Sequence, residues 1–277
     1  MKSAVRFPDG ETVPSLGQGT WRMGEDPRRR AAETDAIRLG VDLGMRLIDT
    51  AEMYGEGATE TFLGTVLSGL RDRVFLVSKA YPQHATRVGL ATACESSLRR
   101  LKTDRLDLYL LHWRGSVPLV ETVSGMQDLV RSGKIRRWGV SNLDTGDMDE
   151  LVAAGGEGCA ANQILYNLTR RGAEHDLLPW LAGRDIPVMA YSPVEQGRML
   201  GHPALDAVAR RHEATTAQVA LAWLLRRDGL IAIPKAATVD HVRDNRGAAD
   251  LVLETGDLAE LDRAFPPPTR KVPLAML

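Results

Sequence analysis

A chain of 277 residues is longer than the usual single domain of about 100–200 residues, yet it suits one α/β barrel of roughly 250. Its formal net charge of −1 supplies no basic field, which argues against nucleic acid and anionic membranes as partners. Residues 1–10 hold no signal-peptide core and no later run has the apolar length of a membrane helix. Cys94 and Cys159 form neither a CxxC nor a Cys/His cluster, so a cytoplasmic, reducing setting is expected.

In chain order, Val5-Arg6-Phe7, the Pro8-Asp9-Gly10 turn and Thr12-Val13-Pro14 read as a small hairpin, a lid on one end of a barrel. Leu16–Gly19 reads as a first strand. Neither Gly17-Gln18-Gly19-Thr20-Trp21-Arg22 nor Gly55 to Glu60 completes a dinucleotide fingerprint, because the sixth position is Arg22 in one and Glu60 in the other. Seven further apolar runs follow: Leu47-Ile48, Val74–Val77, Leu106–Leu111, Ile135–Val140, Cys159–Ile164, Pro187–Ala190 and Leu230–Ile233. Helical patterns separate them at Ala32–Leu43, Glu60–Leu70, Val88–Leu101, Leu119–Ser132, Asp147–Ala154, Ala204–His212 with Ala217–Arg227, and His241–Ala248. Strict alternation of strand and helix implies a parallel sheet, and eight units close into a (β/α)8 TIM barrel: one domain over residues 1–277, with a hairpin lid and a short C-terminal tail.

Barrel chemistry sits at the C-terminal ends of strands. Those positions are Asp49, Lys79, His112, Ser141-Asn142, Gln163, Tyr191 and Lys235, and every one is polar. A charge at the end of a buried strand is costly unless paired, so Asp49 asks for a cation, and Lys79 is a candidate. Tyr54, on the loop beyond Asp49, carries a phenol of ordinary pKa near 10. As a proton donor it needs its anion stabilised, which a neighbouring Lys79 held by Asp49 would do. His112 could donate a hydrogen bond to a substrate oxygen. The six histidines form no HxH or HExxH, and no metal is expected.

Asp49, Tyr54, Lys79 and His112, successively 5, 25 and 33 residues apart, resemble the catalytic tetrad of the aldo-keto reductases. Further stretches are similar to that family: Leu47–Gly55, Leu106–Trp113, Gly139–Asn142, Asn162-Gln163, Ala190–Pro193 and Ile233-Pro234-Lys235. The resemblance implies reduction of aldehydes and ketones to alcohols by hydride transfer from NADPH. Tyr54 would be the general acid, Lys79 and Asp49 its tuning pair, and His112 the residue that orients the carbonyl. Ser141, Asn142 and Gln163 would hold the nicotinamide carboxamide, Tyr191 would stack on its ring, and Lys235 would reach the phosphates, with Asn245 near the adenine. Gly19, Thr20, Trp21, Ser192 and His241 complete the implied cofactor-binding set. The bacterial reductases of small aldehydes, methylglyoxal or diketo acids are the nearest in kind.

One departure bears on the cofactor. Where the family pattern usually has serine and often arginine after Ile-Pro-Lys, this chain has Ala236 and His241, so discrimination of the 2′-phosphate should be weak and NADH tolerated, unless Arg243 or Thr238 substitutes. Trp21, Met53 and Trp113 would wall the substrate pocket, with Asn167 adding a polar group. Arg22 and Arg114 stand near its mouth. The brief segment from His112 to Pro118 and the short tail after Pro268 imply an open pocket for small carbonyl compounds. A monomer is expected. Two other functions compete: a barrel lyase with Lys79 as Schiff-base nucleophile, and a non-catalytic NADP-binding subunit.

Overall fold

Every apolar run of the sequence becomes a short parallel strand: β3 (Gln18–Gly19), β4 (Leu47–Asp49), β5 (Phe75–Ala80), β6 (Leu108–Leu111), β7 (Trp138–Ser141), β8 (Asn162–Leu165), β9 (Val188–Tyr191) and β10 (Leu230–Ala232). The computed structural model describes residues 4–277; residues 1–3 of the expected domain lie outside the described residues. Each strand pairs with its predecessor and successor in the chain. The ring closes through parallel bridges Leu16↔Ala232 and Gly19↔Lys235, with Gly17 N–H donating to Ala232 O at 2.8 Å and Gly19 N–H to Pro234 O at 3.0 Å. A Cβ on Gly19 would stand 2.7 Å from the Ile233 carbonyl oxygen. Only glycine lets the two seam strands approach that closely.

The helices α1 (Arg30–Asp42), α2 (Ala58–Val66), α3 (Arg87–Leu101), α4 (Leu119–Arg131), α5 (Thr145–Ala153), α6 (Leu177–Ala182), α7 (Pro203–Arg211), α8 (Thr216–Leu225), α9 (Val239–Gly247) and α10 (Thr255–Ala264) follow or flank the strands. Their starts are locally encoded. Asp144 with Asp147, and Thr215 with Gln218, form reciprocal capping boxes at α5 and α8, and the Thr86 and Thr238 hydroxyls cap α3 and α9. Outward residues of the strands pack on the helices in one large core. Inward residues form a second core inside the ring, among them Leu47, Phe75, Val77, Leu108, Leu110, Ala161, Met189 and Ile231.

Four strands begin two or three residues later than their apolar runs suggest, and β5 runs on to Ala80 through a charged residue. Leu106 and Ile135 meet instead in an isolated bridge ahead of β6 and β7. The charge in β5 is tolerable because Lys79 is paired inside the barrel, as described below.

The hairpin of β1 (Ala4–Arg6) and β2 (Thr12–Pro14) lies across the end where the strands begin. Val5, Phe7 and Val13 join the inner core, and Phe7 stacks on Phe75 at 5.2 Å. Arg137, only 8 % exposed and directly before β7, donates to Asp9 at 2.6 Å and pairs with Glu11. The lid therefore seals the floor and leaves the opposite mouth free for chemistry.

Candidate active site

Side chains alternate across a strand, so each strand that sends an apolar residue into the barrel sends the residue two further on to the mouth. Leu47 leads to Asp49, Val77 to Lys79, Leu110 to His112, Ala161 to Gln163, Met189 to Tyr191 and Ile233 to Lys235. The polar strand ends thus form the top layer over a packed apolar interior. No separate scaffold is needed to gather them.

Lys79 is fully buried, and its ammonium makes three contacts: Asp49 Oδ2 at 2.8 Å, Thr50 O at 2.7 Å and the Tyr54 hydroxyl at 3.3 Å. Gln163 Nε2 donates to the other Asp49 oxygen at 2.8 Å. Burial pulls the ammonium pKa down, but the Asp49 carboxyl and the Tyr54 phenol more than offset it, so Lys79 stands above ordinary lysine and stays charged. An imine-forming amine must be neutral and exposed to substrate. Lys79 is neither, which removes the Schiff-base lyase.

For Tyr54 the expected pull of Lys79 is present but is outweighed. Burial raises the phenol pKa, and the pull of Lys79, opposed by Asp49, does not cancel the rise. The phenol thus remains protonated well beyond neutral pH, and the ammonium limits the rise without making Tyr54 acidic.

His112 closes the other side. Its ring stands 6.1 Å from that of Tyr54, near perpendicular at 73°, and 4.9 Å from that of Trp113. Burial, then the charge of Lys79, lowers its pKa to about 2, so the imidazole is neutral and its buried Nδ1 has no protein partner. A neutral imidazole can orient a carbonyl by donating one hydrogen bond and cannot supply a cationic proton.

The amide-bearing residues are fixed before any ligand arrives. Asn142 takes a left-handed backbone, φ 60°, held because its Nδ2 donates to His112 O and Ser141 Oγ, both at 3.1 Å, and its Oδ1 accepts from the Tyr191 hydroxyl at 3.0 Å. Burial lifts the Tyr191 phenol to about 12. Gly19, Thr20 and Ser192 line the same rim: Thr20 donates to Asp49 O at 2.8 Å, and Ser192, φ 45°, accepts through its carbonyl from Asn167 at 2.9 Å. Trp21 is 40 % exposed, with the Arg22 guanidinium 4.4 Å above its ring. Met53 and Trp113 are half-buried.

At the barrel seam Lys235 is pulled below ordinary lysine by burial, then by the guanidinium of Arg29 and, less strongly, that of Arg22; Glu33 and Glu25 offset this only partly. Crowded cations suit an anionic ligand. Asn245 is buried on α9, whereas His241 is exposed near that helix's N-terminus. Ala236 is buried and offers no donor, and Arg243 is drawn to Asp240 at 3.3 Å.

One expectation for the pocket fails on contacts, and the two arginines expected near its mouth have protein partners. Asn167 is fully buried and committed to Ser192 O, Thr169 and Glu195, at 2.8 Å to the Glu195 carboxyl. Arg114 is spent on Glu150 at 2.7 Å and Val117 O at 2.9 Å, while Arg22 lies over Trp21. Sequence reading also passes over Glu52, buried between the Tyr54 and Lys79 loops, and Glu60, fully buried and clamped by Ser78 and Arg100, both at 2.6 Å. An acid within Ala51-Glu52-Met53 carries no sign of its partners, which come from another loop.

Residues 15–265 match the aldo/keto reductase family. This chain belongs to the aldo/keto reductase family. It is an oxidoreductase. Among its relatives, it is 50% identical to the methylglyoxal reductase YeaE of Escherichia coli (strain K12), covering 99% of this chain and 98% of that one. It is 30% identical to the glyoxal reductase of Bacillus subtilis (strain 168), covering 95% and 92%. A crystal structure of an aldo/keto reductase from Klebsiella pneumoniae, in complex with NADP and acetate, superposes with a TM-score of 0.98 at 53% identity over the whole of both chains. The ring closed at Gly19 and Lys235 is thus the aldo/keto reductase barrel.

Proposed function

We propose that this aldo/keto reductase reduces small aldehydes and 1,2-dicarbonyl compounds of the methylglyoxal kind with NADPH, as a cytoplasmic monomer whose single barrel domain spans residues 1–277. The observation that carries the reading is the contact set of Tyr54, Lys79 and Asp49 beneath a neutral His112. The name of the E. coli relative and the NADP in the Klebsiella structure support it. The buried free thiols of Cys94 and Cys159 suit a reducing compartment.

The residues present fit the cofactor. Tyr191 offers an aromatic face locked by Asn142, Ser141, Asn142 and Gln163 offer amide and hydroxyl partners, and the crowded positive charge at Lys235 suits phosphate. Gln163 contributes chiefly its carbonyl oxygen, since its nitrogen is bound to Asp49. Bound NADPH supplies the hydride. Tyr54 delivers the proton to the substrate oxygen, Lys79 stabilises the phenolate left behind, and Asp49 keeps Lys79 charged and in place. His112 directs the carbonyl toward Tyr54, and Trp113, Met53 and Trp21 exclude water around it.

Loss of absorbance at 340 nm when methylglyoxal is added to enzyme and NADPH tests the reaction. No loss across a panel of small aldehydes and dicarbonyls defeats this substrate class. Cofactor preference is tested separately. With Ala236 unable to donate and His241 exposed, the kcat/KM ratio of NADPH to NADH should stay below roughly a thousandfold, about 4 kcal/mol. His241→Arg should raise NADPH affinity over NADH by about 1–3 kcal/mol; equal gains for both nucleotides would detach His241 from the 2′-phosphate.

A further inference from the structure

Lys79 is gripped by two short contacts from Asp49 and Thr50, whereas its contact with the Tyr54 hydroxyl is the longest of the three. The phenol's place is therefore set by its own loop. That loop turns through three consecutive left-handed residues, Gly55, Glu56 and Gly57, at φ 55°, 51° and 89°, which costs the glycines nothing and leaves Glu56 as the one residue held there against its preference.

The tie between this segment and the neighbouring strand's loop runs through Glu52, two residues before Tyr54. Its carboxyl is 8 % exposed and reaches across to the loop that follows Lys79. There Oε1 accepts from the Tyr81 main-chain N–H at 2.8 Å and from His84 Nδ1 at 2.9 Å, while Glu52 N–H donates to Lys79 O at 3.4 Å. Tyr81 in turn meets Trp113 edge-on at 5.9 Å. A buried carboxyl is costly unless its hydrogen bonds are made, so the clasp holds both loops in one register.

We infer that Glu52 is a positioning residue for proton transfer: with His84 and the Tyr81 N–H it locks the proton donor's loop onto the loop that follows its ammonium partner. The inference rests on the proposed carbonyl reduction. Removing the clasp should let the Tyr54 hydroxyl drift from the substrate oxygen, and displacements on the scale of 1 Å cost roughly a hundredfold in rate.

The test compares Glu52→Ala and Glu52→Gln with the parent, using methylglyoxal and NADPH. Glu52→Ala should lower kcat by roughly 10–100-fold and raise the solvent deuterium isotope effect on kcat, because proton delivery becomes the slow step. NADPH Kd should stay within about twofold of the parent. Glu52→Gln, whose carbonyl oxygen still accepts from both donors, should return to within about threefold of parental kcat. Parental kcat in Glu52→Ala, an unmoved isotope effect, a loss confined to NADPH affinity, or a Glu52→Gln as impaired as Glu52→Ala each overturns the inference. Should Glu52→Ala fail to fold, His84→Ala removes one of the two donors and should show a smaller kcat loss with the same rise in isotope effect; parental values there overturn it equally. An inactive parent overturns the reading beneath it as well, whereas an active parent with an indifferent clasp overturns only the clasp.

Discussion

Tyr54→Phe should leave the protein folded and its NADPH affinity intact while lowering kcat by about 10²–10⁴-fold, the usual contribution of a positioned general acid. The substitution deletes one oxygen. Lys79 keeps its contacts with Asp49 and Thr50 O, so no buried charge is stranded, and the ring keeps its edge-to-face packing with His112. The pH profile carries a second signature. Reduction requires the protonated phenol, whose pKa burial raises above 10 against the pull of Lys79. The parent's rate should therefore hold through neutrality and fall only on the far alkaline side, and that limb should vanish in Tyr54→Phe. Turnover within a few-fold of the parent, or a persisting alkaline limb, would move the acid to another group.

Asp49→Leu should destabilise the fold by about 3–5 kcal/mol, the cost of leaving a buried charge without its partner. Asp49 and Lys79 are 2 % and 0 % exposed, so water cannot take over the lost contact, and Gln163 loses its acceptor as well. Equilibrium unfolding in urea measures the loss. Adding Lys79→Met should recover a large part of it, since the second change removes the charge that the first one stranded. A double variant that regains stability yet stays inactive would mean that the ion pair serves chemistry and not the fold. A single variant that loses less than about 1 kcal/mol would mean that the ammonium finds another partner.

The strand ends were legible because a period of two is visible in any short run: once Leu47, Val77, Leu110 and Met189 read as interior, Asp49, Lys79, His112 and Tyr191 must share their side of the sheet. Helix α6 was not legible. It has six residues with Pro179 among them and buries only Leu177 and Leu181, too little for a periodic signal. Asn167 misled for a different reason. Its partners Ser192 and Glu195 come together only because the backbone turns left-handed at Ser192, Glu195 and Gln196, none of them a glycine that would announce it. The Tyr54–Lys79 contact and the downward pull of the ammonium were foreseeable, but the net upward shift was not, because the burial that gathers the two groups also penalises the phenolate.

The seam at Gly19 and Lys235 joins the earliest-made and latest-made strands of the ring. During synthesis β3 must wait with one hydrogen-bonding edge bare until β10 has left the ribosome. Closure of so wide a loop makes the barrel a high-contact-order fold. The last event of its assembly is then the same one that brings Lys235 beside the Gly19–Trp21 rim, so this side of the mouth is complete only once the ring is shut.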